Sequence, residues 1–525
     1  MTVAVLPGRG VIGWAVAADH KSVAARIAAA AGVFMALGGA VSLVMRAELA
    51  HPGMQVTSRD TYNELFTTHG TTMVYLVMVP LALALGVYLV PLQIGAAELV
   101  APRVNLFASW LLVLGGISIY GGFMTAHGAA RNGWTEFLPL SGESFSPGPG
   151  TDMWVIGVAL ADAAAILLAA TILLTILTRR APGMTMLRLP VFTWTVLVTC
   201  LLTLFGFPAL EAALGLIEAQ RHFGADIDPV AYLHLFWFFG HPAVYVMFFP
   251  FLGAVAEVVQ VFSGTRLVGY RALVLALLGF ATGSMTVWAH HMFTTGQVLN
   301  EYFAITSTSL LIFAGVEYFD LTATLWRGVV RFSVPMLFAL AFLAQFAIGG
   351  LTGVIVASPV LDYHLNDSYF VVGHFHYTLF AGSMFALFAG VYYWFPKVTG
   401  RFLSERLGRA HFWLLVVGTN VTFFPMFALG YLGMTRRVAD YPGRASLDWL
   451  NAVSSAGAAI TGLAMLVFVW NLAVSLAAGR PAGDDPWAGH TLEWATSSPP
   501  PRHNFDRLPP IRSFAPLLDL REQRR

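Results

Sequence analysis

The sequence predicts an all-α integral membrane protein, a bundle of about twelve transmembrane helices with both termini in the cytoplasm. Three observations carry that prediction: scarce charge, recurrent apolar runs about 20 residues long, and an uneven placement of Lys and Arg. Of the 525 residues, 57% are apolar and 11% charged, less than half the charge of an average soluble domain, about 25%. The mean hydropathy is +0.70. Cys200 is the single cysteine, which excludes a disulfide framework and a Cys-rich zinc or iron-sulfur centre. The balance of 29 basic and 28 acidic residues supplies no field for nucleic acid.

Apolar runs bounded by charge, Gly or Pro lie near 24-45, 71-91, 105-125, 152-178, 190-215, 232-262, 270-292, 305-327, 333-357, 370-395, 408-434 and 450-478. The first is followed by Arg46 and Glu48 without a small-residue cleavage site, so it reads as an uncleaved span. The loops after odd-numbered runs hold only Arg46, Arg59, Arg131, Arg221, Arg436, Arg437 and Arg444. The other 22 basic residues lie in the tails and in the loops after even-numbered runs. By the positive-inside rule the latter face the cytoplasm. The chain then divides into a cytoplasmic segment over 1-23, a twelve-helix membrane domain over 24-478 and a cytoplasmic tail over 479-525. That tail, with Pro499, Pro500 and Pro501 in a row, reads as extended and without a core of its own.

Histidine inside a span is costly and marks the bundle interior. Six of the fifteen histidines converge on one depth: His69 opens the second run, His241 is about ten residues into the sixth, His290 and His291 close the seventh, and His374 and His376 open the tenth. With alternating span direction, all six fall in the outer half of the membrane. Imidazole is the common ligand for copper and haem iron, and one cysteine leaves nitrogen as the only abundant donor. His374 and His376, two residues apart, point about 200° apart on a helix and should serve different centres. His290 and His291 are adjacent at a helix end, where both can reach one ion. His241 and Tyr245, at i and i+4, share one face.

The stretches WFFGHPAVY (237-245), VWAHHMF (287-293), FTTHG (66-70) and YFVVGHFHYTL (369-379) resemble subunit I of the haem-copper oxygen reductases. LVMRAEL (43-49), GMTRRVADYP (433-442) and TLEWATSSPPPRHNF (491-505) resemble its mitochondrial-type branch. The resemblance implies that His69 and His376 are the axial ligands of a low-spin haem and His374 the single ligand of a high-spin haem. It implies copper on His241, His290 and His291, with Tyr245 covalently joined to His241. Arg436, Arg437, Trp134 and Arg46 would then hold haem propionates or a haem edge. The axial histidines suit a, b and o haems alike; the a type is the expectation for this branch.

Against the family pattern, Ala243 stands where most relatives carry a proton-relaying glutamate, and Phe239 and Gly240 replace the Tyr-Ser that compensates in a second branch. Glu98 occupies the place of an entrance aspartate, followed by Arg103 and Asn105, so the mouth of that path is partly kept. In FAGVE (313-317), Glu317 stands at the position of a lysine and Ala314 at that of a threonine. Glu317 and Asp320 share a helical face and read as proton-path candidates. Asn366 and Asp367 replace a magnesium-binding His-Asp pair, which puts magnesium in doubt and leaves Asp367 as its residual candidate.

The expected activity is that of a terminal respiratory oxidase in a bacterial cytoplasmic membrane. It reduces O2 to water with electrons from cytochrome c, delivered through a subunit II that carries a two-copper centre, and with cytoplasmic protons; a subunit III is the other expected partner. Thr61 and Glu64 stand where the quinol-oxidising branch carries His and Gln, which sets quinol behind cytochrome c as donor. A nitric oxide reductase of the same superfamily is the chief alternative, and a non-catalytic transporter with structural histidines a further one.

Overall fold

The computed structural model describes residues 10-524; residues 1-9 of the expected N-terminal segment and Arg525 lie outside the described residues. Twelve helices are long and apolar enough to cross a membrane. In order, spans 1 to 12 are His20–Glu48, Arg59–Ile94, Pro102–Met124, Gly150–Thr178, Val191–Phe223, Pro229–Ser263, Tyr270–Thr295, Asn300–Trp326, Val334–Val356, Tyr369–Thr399, Glu405–Tyr431 and Ala445–Ala478. No β-sheet occurs among the described residues.

Several spans outrun their apolar stretches, because lipid dictates composition only over its own thickness whereas a helix continues until it is capped. Span 2 begins at Arg59, where the Ser58 side chain accepts from the Thr61 amide, so His69 lies ten residues inside the helix and not at its start. Asp228 and Ser404 cap spans 6 and 11 in the same way.

Spans 2, 6 and 10 are the most buried, while spans 1, 8 and 12 turn much of their surface outward. Ile312, Phe319, Trp326, Leu466, Val469 and Trp470 are exposed on those outer spans, as expected where lipid is the solvent. All three inner spans are irregular. Span 2 passes from α-helix into a π-helical stretch at Thr72–Met78, and span 10 does so at His376–Met384. Span 6 breaks between Val246 and Phe249. Span 7 ends as the 3-10 segment Trp288–Thr295, which carries His290 and His291. Each irregularity lies within a few residues of a histidine or tyrosine singled out above, and such local rewinding re-aims side chains at functional positions.

The tail joins one end of the bundle. Lys21 Nζ donates to Pro501 O (2.9 Å) and Asn504 Oδ1 (2.5 Å), and Lys397 Nζ to Asp484 O (2.9 Å) and Thr496 O (2.7 Å). Leu492, Glu493, Trp494 and Asn504 are buried there, and a last helix spans Pro516–Gln523. The loops after even-numbered spans meet this tail. Those after odd-numbered spans gather at the other end, where Arg436 pairs with Asp367 and Gly53 N donates to Asp440 Oδ1 (2.6 Å).

Candidate metal centre

Five of the six histidines are held by the same kind of device or stand against one that is. His69 Nδ1 donates to Gly38 O of span 1 (2.9 Å), His376 Nδ1 to Val372 O (2.9 Å), and His374 Nδ1 to Gly349 O of span 9 (3.1 Å). Each carbonyl fixes the proton on Nδ1 and leaves Nε2 as a lone pair, the tautomer that a metal requires. Gly353 lets span 9 approach, since a Cβ there would sit 3.1 Å from His374 Cε1. His290 Nδ1 contacts Ser307 Oγ (2.7 Å), whose own proton goes to Phe303 O (2.5 Å). Ser307 must therefore accept, and His290 Nε2 again carries the lone pair.

His290 Nε2 faces His291 Nε2 at 3.0 Å, and His291 Nε2 faces His241 Nδ1 at 3.4 Å. One nitrogen from each of the three lies within 4.8 Å of the others. Ligands about 2.0–2.1 Å from a tetrahedral ion stand roughly 3.3 Å apart, so these separations suit a single metal. The His291 ring is steadied by Trp237, stacked at 4.0 Å and 16°. His241 keeps a buried Nε2 with no hydrogen-bond partner, and the Tyr245 ring lies 4.8 Å from its own. His374 is within Coulombic reach of His290 and His291, and His376 of His69. The two rings of span 10 are thus parted toward different neighbours, as their spacing predicts.

Changing Ser307 to Ala removes the acceptor that orients His290. We expect copper retention to weaken by about 10- to 100-fold, the usual range for such a supporting partner; metal analysis after dialysis against graded chelator checks this.

The remaining predicted residues divide between the two ends. Arg46 Nη2 donates to Asn451 O (2.7 Å) and Ser455 Oγ (3.0 Å), while its buried Nε and Nη1 have no partner. Trp134 packs edge-on against Phe236 at 5.2 Å and lies beside Gly70, next to His69. Arg437, at φ +62°, lies over Phe137 (5.8 Å). Burial and the neighbouring Arg436 pull its guanidinium down to about 10. Arg436 Nε donates to Asp367 Oδ1 (2.6 Å), so that carboxylate is committed to a guanidinium. At the tail end, Glu98 Oε1 accepts from His20 Nδ1 (2.8 Å), and Asn105 Oδ1 accepts from Thr171 Oγ1 (2.6 Å). Glu317 and Asp320 are both buried, each with one oxygen lacking a partner. Glu317 is within electrostatic reach of Tyr245, and Asp320 packs on Gly269 of the loop after span 6.

Three sets of groups escaped the sequence reading. Glu136 is fully buried in the loop between spans 3 and 4, held by Asn132 N (3.0 Å) and Asn132 Nδ2 (2.9 Å), and burial pushes its carboxyl up to about 7. A folded-state value raised from 4.5 means that the native state holds the extra proton, so stability falls as pH rises from about 4.5 through 7. The loss amounts to at most about 3 kcal/mol. Thermal unfolding should show that slope in the parent protein and a shallower one in Glu136→Gln. The second set, Asp152, Glu218 and His222, brings ligand atoms together, but Arg221 Nε already occupies Asp152 Oδ1 at 2.5 Å. The third is the buried pair Asp162 and Tyr75, with Glu211. Only the Trp134 loop and the acids in apolar spans offered a signal in the sequence; their partners come from other spans.

Six histidines in a bundle of twelve candidate spans, four of them with the Nε2 lone pair preset and three converging on one point, form a candidate metal centre inside a membrane protein. Residues 22-460 match the family model of cytochrome C and quinol oxidase polypeptide I. The chain is 46% identical over 510 residues to cytochrome c oxidase subunit 1 of Corynebacterium efficiens, an alignment covering 96% of this chain and 88% of that one. It is 45% identical over 510 residues to cytochrome c oxidase subunit 1 of Corynebacterium glutamicum, covering 96% and 87%. Its fold resembles a heme-copper terminal oxidase dimer solved by cryo-EM, with a TM-score of 0.76 at 18% identity over 88% of this chain and 84% of that one. The protein belongs to the subunit I family of the haem-copper oxidases.

Proposed function

We propose that this chain is the catalytic subunit of a terminal respiratory oxidase that oxidises cytochrome c and reduces O2 to water. The observation that carries the reading is the convergence of His241, His290 and His291, with Tyr245 against His241 and His374 facing the cluster. The three imidazoles hold copper. His374 supplies one axial nitrogen to a high-spin haem, and His69 and His376 supply two to a low-spin haem, each through the lone pair that its backbone partner presets. The a type is the haem of this branch. When bound, the low-spin haem passes electrons only, while the high-spin haem and copper together supply the site where O2 is reduced.

The residues of the chain then have separate tasks. Tyr245 stands ready to donate an electron and a proton beside the copper ligand, and the partnerless His241 Nε2 suits its covalent attachment. Arg437, and Arg436 alongside its bond to Asp367, offer charged donors for propionates, with Trp134 packed between the two ends of that site. The free donors of Arg46 suit a polar haem edge. Asp320 and Glu317 carry protons from the tail end toward Tyr245. Glu98 and Asn105 form a second mouth, beyond which Ala243 offers no carboxylate. Asp367 Oδ1 is taken by Arg436, which leaves this residue a single oxygen, Oδ2, as a residual magnesium candidate.

The chain is a multi-pass membrane protein. Its place is a bacterial cytoplasmic membrane with both termini inside, which the clustering of the tail with the basic loops supports. A subunit II with a two-copper centre delivers the electrons, and a subunit III completes the complex. The test combines metal analysis and pyridine haemochrome spectra of the purified complex with oxygen uptake on reduced cytochrome c, on quinol and on NO. Two haems, one copper in this subunit and cytochrome c-dependent uptake are expected. Iron in place of copper, with NO turnover and negligible oxygen uptake, would sink the reading in favour of a nitric oxide reductase.

A further inference from the structure

Asp162, Glu211 and His241 each stand twelve residues from the same end of the bundle, on spans 4, 5 and 6. Asp162 is 1% exposed and neither of its oxygens has a hydrogen-bond donor other than the neighbouring Glu211 carboxyl. Glu211 lies beside it, close enough for the two carboxyls to interact. Among the described residues neither is in an ion pair. Two facing carboxylates at this depth without a cation must hold at least one proton between them. Tyr75, 3% exposed, has a hydroxyl with no partner and lies within electrostatic reach of both Asp162 and Tyr232. Its ring stacks on Phe239 at 5.9 Å and 10°, one helical turn before Ala243. Beyond it, Tyr232 Oη donates to Thr135 O (2.6 Å), next to the buried Glu136, which in turn is near Arg437.

We propose that Asp162, Glu211 and Tyr75 form a proton relay that replaces the carboxylate absent at position 243 and carries protons outward to Tyr232 and Glu136. The inference rests on the oxidase reading. Asp162 breaks its O–H bond as a new one forms on the next oxygen, a bridging water or Tyr75, and Tyr75 releases its own phenol proton toward Tyr232; Glu211 reprotonates Asp162 and is refilled from the cytoplasmic mouth at Glu98 and Asn105. One proton moves per cycle and no electron does; electron flow to O2 drives it. The protons consumed at the metals come separately, by way of Glu317. Buried acids and hydroxyls with free polar atoms are the sites that a bridging water requires.

The test uses the intact oxidase in sealed vesicles, with cytochrome c outside, and follows external acidification and oxygen uptake together. The parent enzyme is expected to release protons outward. Asp162→Asn and Tyr75→Phe are expected to cut that release by about a hundredfold, while oxygen uptake persists in uncoupled vesicles. Asp162→Glu should keep the release, and adding Ala243→Glu to Asp162→Asn should restore it. Unchanged haem spectra and copper content show intact assembly. If Asp162→Asn fails to assemble, Tyr75→Phe, which keeps the stacked ring, decides alone. Parental release in Asp162→Asn and Tyr75→Phe overturns the proposal, as does a parent that releases none or a loss of oxygen uptake in parallel with release. A parent that consumes no oxygen at all overturns the oxidase reading beneath it.

Discussion

Replacing His290 with Asn should abolish oxygen reduction, by about 10³-fold or more, on the scale seen when one member of an interdependent catalytic unit is removed. The asparagine amide is too short to bring a nitrogen to the point where His290 Nε2, His291 Nε2 and His241 Nδ1 converge at 3.0 and 3.4 Å. Copper content should fall with the rate. The low-spin haem spectrum should stay, because His69 and His376 take their support from Gly38 and Val372 and not from this cluster. Metal analysis, visible spectra and an oxygen electrode on one preparation check all three. Loss of the low-spin signature as well would mean that the centres are not separately held.

Replacing Glu317 with Gln should lower turnover by about 10²- to 10⁴-fold, the range for a lost proton donor. Gln has nearly the same shape, so a packing role would survive it. Glu317 has a buried oxygen without a partner and stands between Asp320 and Tyr245. Electron entry into the low-spin haem, followed by stopped flow, should keep its parental rate while the later proton-coupled phase slows. KM for cytochrome c should not move. Parental turnover would assign proton delivery to another route.

The sequence made the histidines legible because charge and imidazole are so scarce in apolar spans that their placement is informative. Six at one depth single out a candidate metal site before any contact is known, and the two-residue gap between His374 and His376 parts them between neighbours. It made the start of span 2 illegible, because hydropathy reports lipid contact and Ser58 decides where the helix begins. The tail, read as extended and without a core, carries a short helix at Pro516–Gln523 and buries Trp494 and Glu493 against the bundle. Its Pro-rich composition says that it will not form a long helix and nothing about what it will lie on. Asp162 was visible as an acid in an apolar span, but Glu211 and Tyr75 come from different spans.

By itself, then, the sequence determined the membrane class, the number of spans and the family, and it singled out six histidines as candidate ligands, since these follow from composition, local spacing and motif. Tertiary structure decided which nitrogen His69, His374 and His290 present. That choice is made by the Gly38 and Gly349 carbonyls and by the Ser307 hydroxyl, which reach the histidines across helix or loop boundaries. It also decided that carboxyls on spans 4 and 5 meet at the depth of His241, near Tyr75. An imidazole tautomer and a shared proton are properties of pairs of groups, and only packing brings the members of those pairs together.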